Sequence, residues 1–275
     1  MPTALARLAA FVFLLLSFLL GFASGALALD ARDADAAAKR KDYATAFRIR
    51  AEILSDADPV NMRELALYHF WGHGTPKNLA KAAELMARAA GLGEREAIFN
   101  LGTFYEDGLG VARDEDEAWR LYLRSADLGV PDAQNNVGLW YAEGRHVRRD
   151  PVKARDWLQR AAAGKNPEAM MNLGNYYEWG TFGAPDMAAG RRYYGMAARL
   201  GHSGGQYNYG LHLMKAQGGP KDTVEGLAWL FLADEQRLPE ARRAVRMLDP
   251  ATPAEIWSAA RRRMAALRKE LPAKR

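Results

Sequence analysis

AIFNLGTFYEDGLGVARDEDEAWRLYLRSA, residues 97–126, is the stretch of sequence that decides the fold of this chain. In its first half Ala97 and Leu101 lie one helical turn apart, and in its second half Ala118 and Tyr122 do the same. Apolar residues at this spacing form one face of an amphipathic helix. Glycines between the two halves allow the backbone to turn sharply. The stretch therefore predicts two helices joined by a tight turn.

The same pattern recurs every 36 residues. Segments that begin at Ala97, Ala133, Ala169 and Gly205 align without a gap, and a looser copy begins at Asn61. A period of this length is typical of solenoids, in which each helix pair buries its apolar faces against its neighbours. We therefore predict an all-α fold, a right-handed α/α superhelical solenoid with capping helices at its N- and C-terminal ends.

Two kinds of residue keep the same spacing and have physical explanations. Glycine in the middle of a helix costs about 1 kcal/mol relative to alanine, so a repeated glycine predicts that a neighbouring helix packs closely there. A short polar side chain before a helix accepts bonds from free backbone N–H groups and contributes about 1 kcal/mol. The glycines are Gly102, Gly138, Gly174 and Gly210, and the predicted caps are Asn78, Asp114, Asp150, Asp186 and Asp222. Asp114 with Glu117 and Asp222 with Glu225 resemble capping boxes. The glycines predicted to end the second helices are Gly93, Gly129, Gly164 and Gly201.

These residues together resemble the Sel1-like repeat, a relative of the tetratricopeptide repeat. Residues 97–130 match the pattern nearly throughout, 133–164 and 169–202 match with small departures, and 61–94 and 205–237 are looser. The resemblance implies a concave surface, lined by the first helix of each repeat, that binds a protein or peptide partner. The partner-binding residues that it implies are Arg63, Phe70, Trp71, Phe99, Thr103, Glu106, Asn135, Leu139, Glu143, Met171, Asn175, Glu178, Trp179, Tyr207 and Leu211.

Two features of this surface allow a second interpretation. Aromatic residues at helical spacing commonly pack inside a protein, so several of the predicted binding residues could instead lie between adjacent repeats. An asparagine also recurs in each first helix. Because asparagine is a poor helix former, its repeated presence there requires an explanation. It would either bond to the backbone of a bound segment or tie its helix to a neighbour. These asparagines are Asn100, Asn136, Asn172 and Asn208.

The first 28 residues predict a secretory signal peptide, 1–28. Arg7 precedes an unbroken apolar run, and small residues then end in a cleavage pattern that places the cut after Ala28. The alternative is an uncleaved anchor in the inner membrane. Either way, we expect a periplasmic or secreted chain. The remaining predicted segments are an N-terminal capping region at 29–60, five repeats over 61–240 and a basic capping helix at 241–275.

The two terminal segments are expected to cover the ends of the stack. Residues 33–54 predict one opening helix, and a capping box at Thr252 predicts the start of the last helix. The apolar residues of that helix form one stripe, which consists of Ile256, Ala260, Met264, Leu267 and Leu271.

Charge is distributed unevenly along the chain, whose formal net charge is +5. The last 35 residues carry ten basic side chains against three acidic ones. Such a helix would contact an acidic partner or an anionic membrane surface, or would simply be a solvated face. Nucleic acid is not an expected partner of an exported chain. The basic residues are Arg242, Arg243, Arg246, Arg261, Arg262, Arg263, Arg268, Lys269, Lys274 and Arg275.

Catalytic and metal-binding patterns are weak in this sequence. Residues 201–205 fit the G-x-S-x-G elbow around Ser203, but that elbow needs a strand before the serine, and the repeat predicts a helix end there. His69 and His73 stand where glycines break the helix, and no H-E-x-x-H pattern accompanies them. The chain also has no cysteine, which excludes disulfides and thiolate metal sites. We therefore expect no catalytic residues, no cofactor and no metal.

The sequence thus favours a periplasmic scaffold or regulator that binds a protein partner in its concave groove. Its resemblance to periplasmic repeat proteins that restrain membrane sensor kinases suggests a role in an envelope pathway. One alternative is an envelope enzyme or a peptidoglycan-binding protein. Another is a secreted factor that contacts a host. Neither the oligomeric state nor the identity of the partner follows from the sequence.

Overall fold

The computed structural model describes residues 29–55, 57–248 and 252–272, so the predicted signal peptide lies outside the described residues. Every regular element within this part of the chain is an α-helix, and there are fourteen of them. The chain divides into two compact units between Leu85 and Met86. We call them unit 1 and unit 2 and describe each by itself.

Unit 1 contains three complete helices and the start of a fourth: α1 (Ala31–Lys39), α2 (Tyr43–Glu52), α3 (Pro59–Trp71) and the first half of α4 (Leu79–Gly91). The sequence predicted one opening helix over residues 33–54, and this prediction is wrong. Lys41 adopts a positive φ of 64°, which ends the first helix. Asp42 then accepts a hydrogen bond from the Thr45 backbone N–H at 3.2 Å and starts the second helix.

A buried arginine joins the first three helices of unit 1. The Arg50 guanidinium donates to Asn61 Oδ1 at 3.0 Å, and Asn61 Nδ2 donates back to the Arg50 carbonyl oxygen at 2.9 Å. A second guanidinium nitrogen pairs with Asp35 on α1. Because a buried charge is costly without partners, this network favours one arrangement of the three helices. Ala37, Ala46 and other apolar residues form the core beside it.

Unit 2 contains the repeats in which the two helices alternate. The first helices are α5 (Arg95–Asp107), α7 (Pro131–Glu143), α9 (Pro167–Glu178) and α11 (Ser203–Met214). The second helices are α6 (Glu115–Asp127), α8 (Pro151–Ala163), α10 (Met187–Arg199) and α12 (Thr223–Glu235). After them come α13 (Pro239–Arg246) and α14 (Ala254–Glu270). The predicted all-α solenoid is confirmed.

The repeated glycines lie where a large side chain of the second helix crosses the first helix. A Cβ added at Gly102 would lie 2.8 Å from the ring of Tyr122, and one at Gly138 would lie 2.7 Å from Leu158 Cγ. Real Cβ atoms do not approach other heavy atoms so closely, so these positions require glycine unless the helices move apart. The four pairs are Gly102 with Tyr122, Gly138 with Leu158, Gly174 with Tyr194 and Gly210 with Leu230.

The predicted caps are confirmed at all five positions. Each side-chain oxygen accepts from the backbone N–H three residues later at 2.8–3.0 Å. The reciprocal half of the capping box predicted at Asp222 is absent, because Glu225 instead accepts from Trp229 and Arg263. The capping box predicted at Thr252 is also wrong, since Pro253 occupies the cap position of α14 and offers no side-chain bond.

The C-terminal helix α14 covers the end of the fifth repeat. Its buried Leu267 packs with Leu213 and Trp229, and Met264 packs against the same cluster. Arg263 Nε lies 2.6 Å from a Glu225 carboxylate oxygen of α12. The predicted apolar stripe on this helix therefore faces the repeats, and its basic residues Arg261, Arg262 and Lys269 are exposed.

Candidate protein-binding face

One side of each first helix in unit 2 stays open while the other side is buried. On α5, Ala97 and Leu101 are buried, whereas Asn100 and Thr103 are partly exposed and Asp107 is exposed. Positions three or four residues apart share one face of a helix. We call the partly or fully exposed set the open face. It consists of Glu96, Asn100, Thr103, Asp107, Asp132, Asn136, Leu139, Glu143, Glu168, Asn172, Asn175, Trp179, Gly204, Asn208, Leu211 and Lys215.

Six of the sequence-predicted binding residues lie on the open face. Trp179 is 66% exposed and is the largest apolar group there. Glu143 is exposed as well, and the other four are half-buried, so all of them offer some surface to a partner. These other four are Thr103, Leu139, Asn175 and Leu211.

Other predicted binding residues in unit 2 serve the packing between helices. Phe99 packs against the core cluster that contains Tyr122, and Met171 packs against the next cluster. Asn135 is only 7% exposed, and its Oδ1 accepts a hydrogen bond from Asn172 Nδ2 at 3.0 Å. The alternative interpretation of the sequence, that some of these residues lie between repeats, therefore describes Phe99, Met171 and Asn135 better. Tyr207 is half-buried on α11 and belongs neither to the open face nor to these two clusters.

Three of the predicted residues belong to unit 1. Trp71 is 63% exposed, and the Phe70 ring meets it edge-on with ring centroids 4.7 Å apart. Lys77 lies over the Phe70 ring at 5.6 Å. Arg63 is half-buried and pairs with Glu64 at 2.8 Å. Trp71 is therefore the more accessible of the two aromatic residues.

Glu178 joins the fourth repeat to the fifth. The Tyr194 hydroxyl donates to Glu178 Oε2 at 2.7 Å and lies 2.8 Å from the Asn175 amide. His212 Nε2, in the fifth repeat, lies 3.3 Å from the same carboxylate oxygen, and the His212 side chain is almost fully buried. Burial and the bond to Glu178 raise the pKa of Tyr194 above its usual value. Glu178 therefore has a packing role that the sequence analysis missed.

Glu106 makes the equivalent contacts in the second repeat. It accepts from the Tyr122 hydroxyl, and its Oε1 lies 2.7 Å from Arg145 of the third repeat. Arg145 also lies over the Trp140 ring at 5.0 Å. A signal for this role exists in the sequence: glutamate and tyrosine occur together, and the third repeat replaces both by apolar residues. The replacing residues are Ala142 and Leu158.

The repeated asparagines do not all behave alike. Asn172 bonds to Asn135 and so links α9 to α7. Asn136 hydrogen-bonds to the Tyr122 hydroxyl, which burial and Glu106 hold at a raised pKa. Asn100 and Asn208 are half-buried on the open face. The explanation that the asparagine ties its helix to a neighbour thus holds for Asn172 and Asn136.

The first helices of unit 2 are strongly acidic. They carry seven carboxylates and a single basic residue, Arg95. The second helices carry eight acidic and eight basic residues. Asp132 bonds to the neutral Asn166 amide, whereas Glu96 and Glu106 pair with Arg95 and Arg145. The seven are Glu96, Glu106, Asp107, Asp132, Glu143, Glu168 and Glu178.

The G-x-S-x-G stretch forms a helix start in the structure. Ser203 is the first residue of α11, and His202 before it is the cap, whose Nδ1 accepts from the Gly205 backbone N–H at 2.9 Å. The other ring nitrogen of His202 lies 2.9 Å from Glu168 Oε1. A helix end rather than a strand precedes the serine, so the elbow geometry is not formed.

The two histidines of unit 1 contact different aromatic rings. His69 meets Phe47 edge-on with centroids 5.3 Å apart, and His73 stacks on Tyr43 at 4.5 Å. Among the described residues, no group of three or more histidines and carboxylates is placed to hold a metal ion. None of the described helices has the length and apolar composition needed to cross a membrane.

Known proteins share this repeat and this fold. The Sel1 repeat model matches residues 62–94, 95–130, 131–166, 167–202 and 203–235. A Sel1 repeat protein from Oxalobacter formigenes is 24% identical, with a TM-score of 0.76 over 87% of this chain and 99% of that chain. No match was found among the curated proteins.

A second solved structure is c5321, a protective antigen present in uropathogenic Escherichia coli strains and displaying an SLR fold. It is 18% identical with a TM-score of 0.50, over 88% of this chain and 61% of that chain. At such identities both structures show a common fold alone. Since the five repeat matches together cover more than half of the sequence, this chain belongs to the Sel1 repeat family.

Proposed function

We propose that this protein is a scaffold or regulator that holds a segment of a protein partner against the open face. Sel1 repeats generally mediate protein–protein interactions, and their fold is typically a non-catalytic scaffold. The observation that carries the proposal is the open face itself, which presents accessible side chains at equivalent positions on consecutive first helices. A regular row of this kind suits an extended segment, because successive residues of the segment meet successive repeats.

The charge of the open face suggests the chemistry of that segment. The open face carries five carboxylates and one basic residue, Lys215, and so favours a partner that carries lysine or arginine, since complementary charge speeds association and disfavours acidic competitors. The five are Glu96, Asp107, Asp132, Glu143 and Glu168. Trp179, Leu139 and Leu211 supply apolar groups between these charges. Exposed tryptophan is a residue type that often dominates binding energy. The proposed partner therefore carries basic residues with apolar residues among them.

We place this activity in the periplasm, where the protein would restrain a membrane sensor or another component of an envelope pathway. The apolar N-terminus with its cleavage pattern supports export. Exposed Arg261, Arg262 and Lys269 on α14 would provide contact with an anionic membrane surface. Mass spectrometry of the mature N-terminus and fractionation test the location: a chain starting at Leu29 in culture medium would instead indicate a secreted factor.

A crosslinking pull-down from envelope extracts tests the binding surface. The test variant combines Leu139→Ala, Trp179→Ala and Leu211→Ala on the open face. The control variant combines Leu128→Ala, Val152→Ala and Met187→Ala, which truncates exposed apolar residues at the ends of the second helices. Circular dichroism establishes that both variants fold.

We expect the wild type and the control to capture the same specific protein and the folded test variant to lose it. Each truncated anchor should weaken binding by roughly tenfold, given about 1–2 kcal/mol for a contact of this kind. Capture that survives in the test variant and fails in the control would contradict the proposal and assign binding to the second helices.

A further inference from the structure

A pocket of about 310 Å³ on the second-helix side of the fourth repeat is lined by arginines without carboxylates. Arg191, Arg192 and Arg199 enter it from α10, and Tyr209 of α11 and Gly218 of the following loop close it. The helix that supplies the arginines has no acidic residue along its length. No other second helix of unit 2 carries three basic residues without an acidic one, so this concentration of positive charge is not part of the repeat pattern.

Each of the three guanidinium groups contacts a neutral group. Arg191 Nη1 donates to the Pro220 carbonyl oxygen at 2.9 Å. Arg192 lies over the Tyr193 ring at 5.1 Å, and Arg199 lies over the Tyr209 ring at 5.6 Å. Across the described part of the chain, none of the three forms an ion pair with a carboxylate. Their charges therefore remain uncompensated by carboxylates of the described chain.

Two other arginines of unit 2 differ from these three because each pairs with a carboxylate. Arg145 lies 2.7 Å from a carboxylate oxygen of Glu106, and Arg242 lies 2.9 Å from Asp234. A pocket in the third repeat is also basic, but there Asp150 lines the same space as Lys153, and their charged atoms are 3.8 Å apart. The pocket of the fourth repeat has no such internal counter-charge in its lining.

Gly195 leaves space beside Tyr209 and Arg199, two residues that line the pocket. The neighbouring second helices carry Leu123, Gln159 and Phe231 at the position of Gly195. A Cβ at Gly195 would lie 3.0 Å from the Tyr209 ring and 3.1 Å from Arg199 Nη1, so a larger side chain would fill the space between them. Arg199 stands where the other second helices carry Asp127, Ala163 and Glu235. The fourth repeat therefore loses bulk at Gly195 and gains positive charge one helical turn later.

We infer that Arg191, Arg192 and Arg199 form a binding site for a phosphate group or a closely similar multiply charged oxyanion. The planar guanidinium presents a fork of N–H donors that matches two oxygens of such a group. Tyr209, which also lines the pocket, carries a hydroxyl donor. The bound group would belong either to a soluble phosphorylated compound or to the headgroup of an anionic lipid.

Calorimetric titration with sodium pyrophosphate at constant ionic strength, together with vesicle sedimentation, tests this site on purified protein expressed from its full-length sequence. The vesicles are phosphatidylcholine with and without phosphatidylglycerol. Arg192→Gln with Arg199→Gln removes two exposed guanidinium groups and should weaken binding by at least roughly tenfold. Arg192→Lys with Arg199→Lys keeps the charge, loses the fork and should give an intermediate loss.

Arg160→Gln is the matched control, because Arg160 is also exposed and lies over an aromatic ring, Trp157 at 4.5 Å, outside the pocket. The control should bind like the wild type. Pyrophosphate binding without vesicle binding identifies a soluble ligand, and binding to phosphatidylglycerol vesicles that pyrophosphate reverses identifies a lipid headgroup. The site is refuted if neither probe binds the wild type, or if the glutamine pair binds as tightly as the control.

Discussion

At the scale of single residues, the glycine in each first helix sets the distance between the two helices of a repeat. Gly138 shows this clearly, since Leu158 Cγ and the Ala154 carbonyl oxygen lie 2.7 and 3.2 Å from the place where a Cβ would stand. The intrinsic cost of a helical glycine, about 1 kcal/mol, is offset by the close packing that the missing side chain permits.

Replacing this glycine should damage the stack. Gly138→Leu forces a large side chain into a packed contact, which should cost about 2–3 kcal/mol and lower the melting temperature of unit 2 by roughly 5–10 °C. Ala163→Leu is the control, because Ala163 is exposed on α8. An unchanged melting temperature in Gly138→Leu, measured by circular dichroism, would show that the helices do not pack as described.

His69 should make the stability of unit 1 depend on pH. Burial, and then the charge of Lys81, hold the pKa of His69 below its usual value of 6.5, and its Nδ1 is buried without a hydrogen-bond partner. The unfolded chain therefore binds the proton at higher pH than the folded chain does. The stabilising contribution is complete above pH 6.5 and is lost as the pH falls through the lowered pKa.

Urea unfolding between pH 7.5 and pH 5.5 measures this effect. His69→Phe keeps a ring beside Phe47 and removes the titrating group, so it should flatten the pH dependence of the unit 1 transition. His73→Phe, at an exposed position, should leave that dependence as it is in the wild type. Equal pH dependence in His69→Phe and the wild type would assign the effect to other groups.

At the scale of elements, two side chains that meet between the first and second helix of a repeat are polar in some repeats and apolar in another. Glutamate and tyrosine bond to each other in the second and fourth repeats, and Ala142 and Leu158 occupy the same positions in the third. Both versions fill the space between a first and a second helix. Their members therefore depend on each other, because a buried hydroxyl without an acceptor is costly.

Exchanging one polar pair for the apolar version tests that dependence. Glu178→Ala removes the acceptor of the Tyr194 hydroxyl and should destabilise the protein by about 1–3 kcal/mol. Adding Tyr194→Leu recreates the pair of the third repeat and should recover part of that loss, as measured by urea unfolding. A double variant less stable than Glu178→Ala alone would show that the two side chains act independently.

The helices themselves could be predicted from the sequence because their determinants are local and recur. Spacing of apolar residues, caps and glycines all repeat at one period, so each copy supports the others. Prediction failed where the sequence does not repeat: the opening segment splits at Lys41, and α14 starts after Pro253 without a side-chain cap. The prediction that Gly164 ends α8 is confirmed, and Lys165 after it takes the positive φ.

The candidate site was predictable only in part. Periodicity identified the face of the first helices that stays open, and Leu139, Trp179 and Leu211 lie on it. It could not show that Asn135 and Glu178 are occupied by contacts with neighbouring repeats, because those bonds join residues far apart in the sequence. Nor does the repeat pattern point to the arginine pocket, which exists where one repeat departs from the others.

At the scale of the whole molecule, acidic and basic charge in unit 2 is concentrated on different helices. The first helices are acidic, while α10 carries only basic charge and α14 presents exposed Arg261 and Arg262. Such a division would let one protein bind a basic protein segment on the open face and an anion elsewhere. The two activities would use different residues, so substitutions can separate them.

Site-specific photocrosslinking tests the central claim, binding on the open face, most directly. A benzophenone amino acid is placed at Leu139 or Leu211 on the open face, and at Leu128 or Val152 at the ends of the second helices. Illumination in cell envelopes should yield a discrete adduct of one partner protein from the first two positions and none from the second two. Adducts confined to Leu128 and Val152 would contradict the account, because the partner would then lie on the side of the second helices.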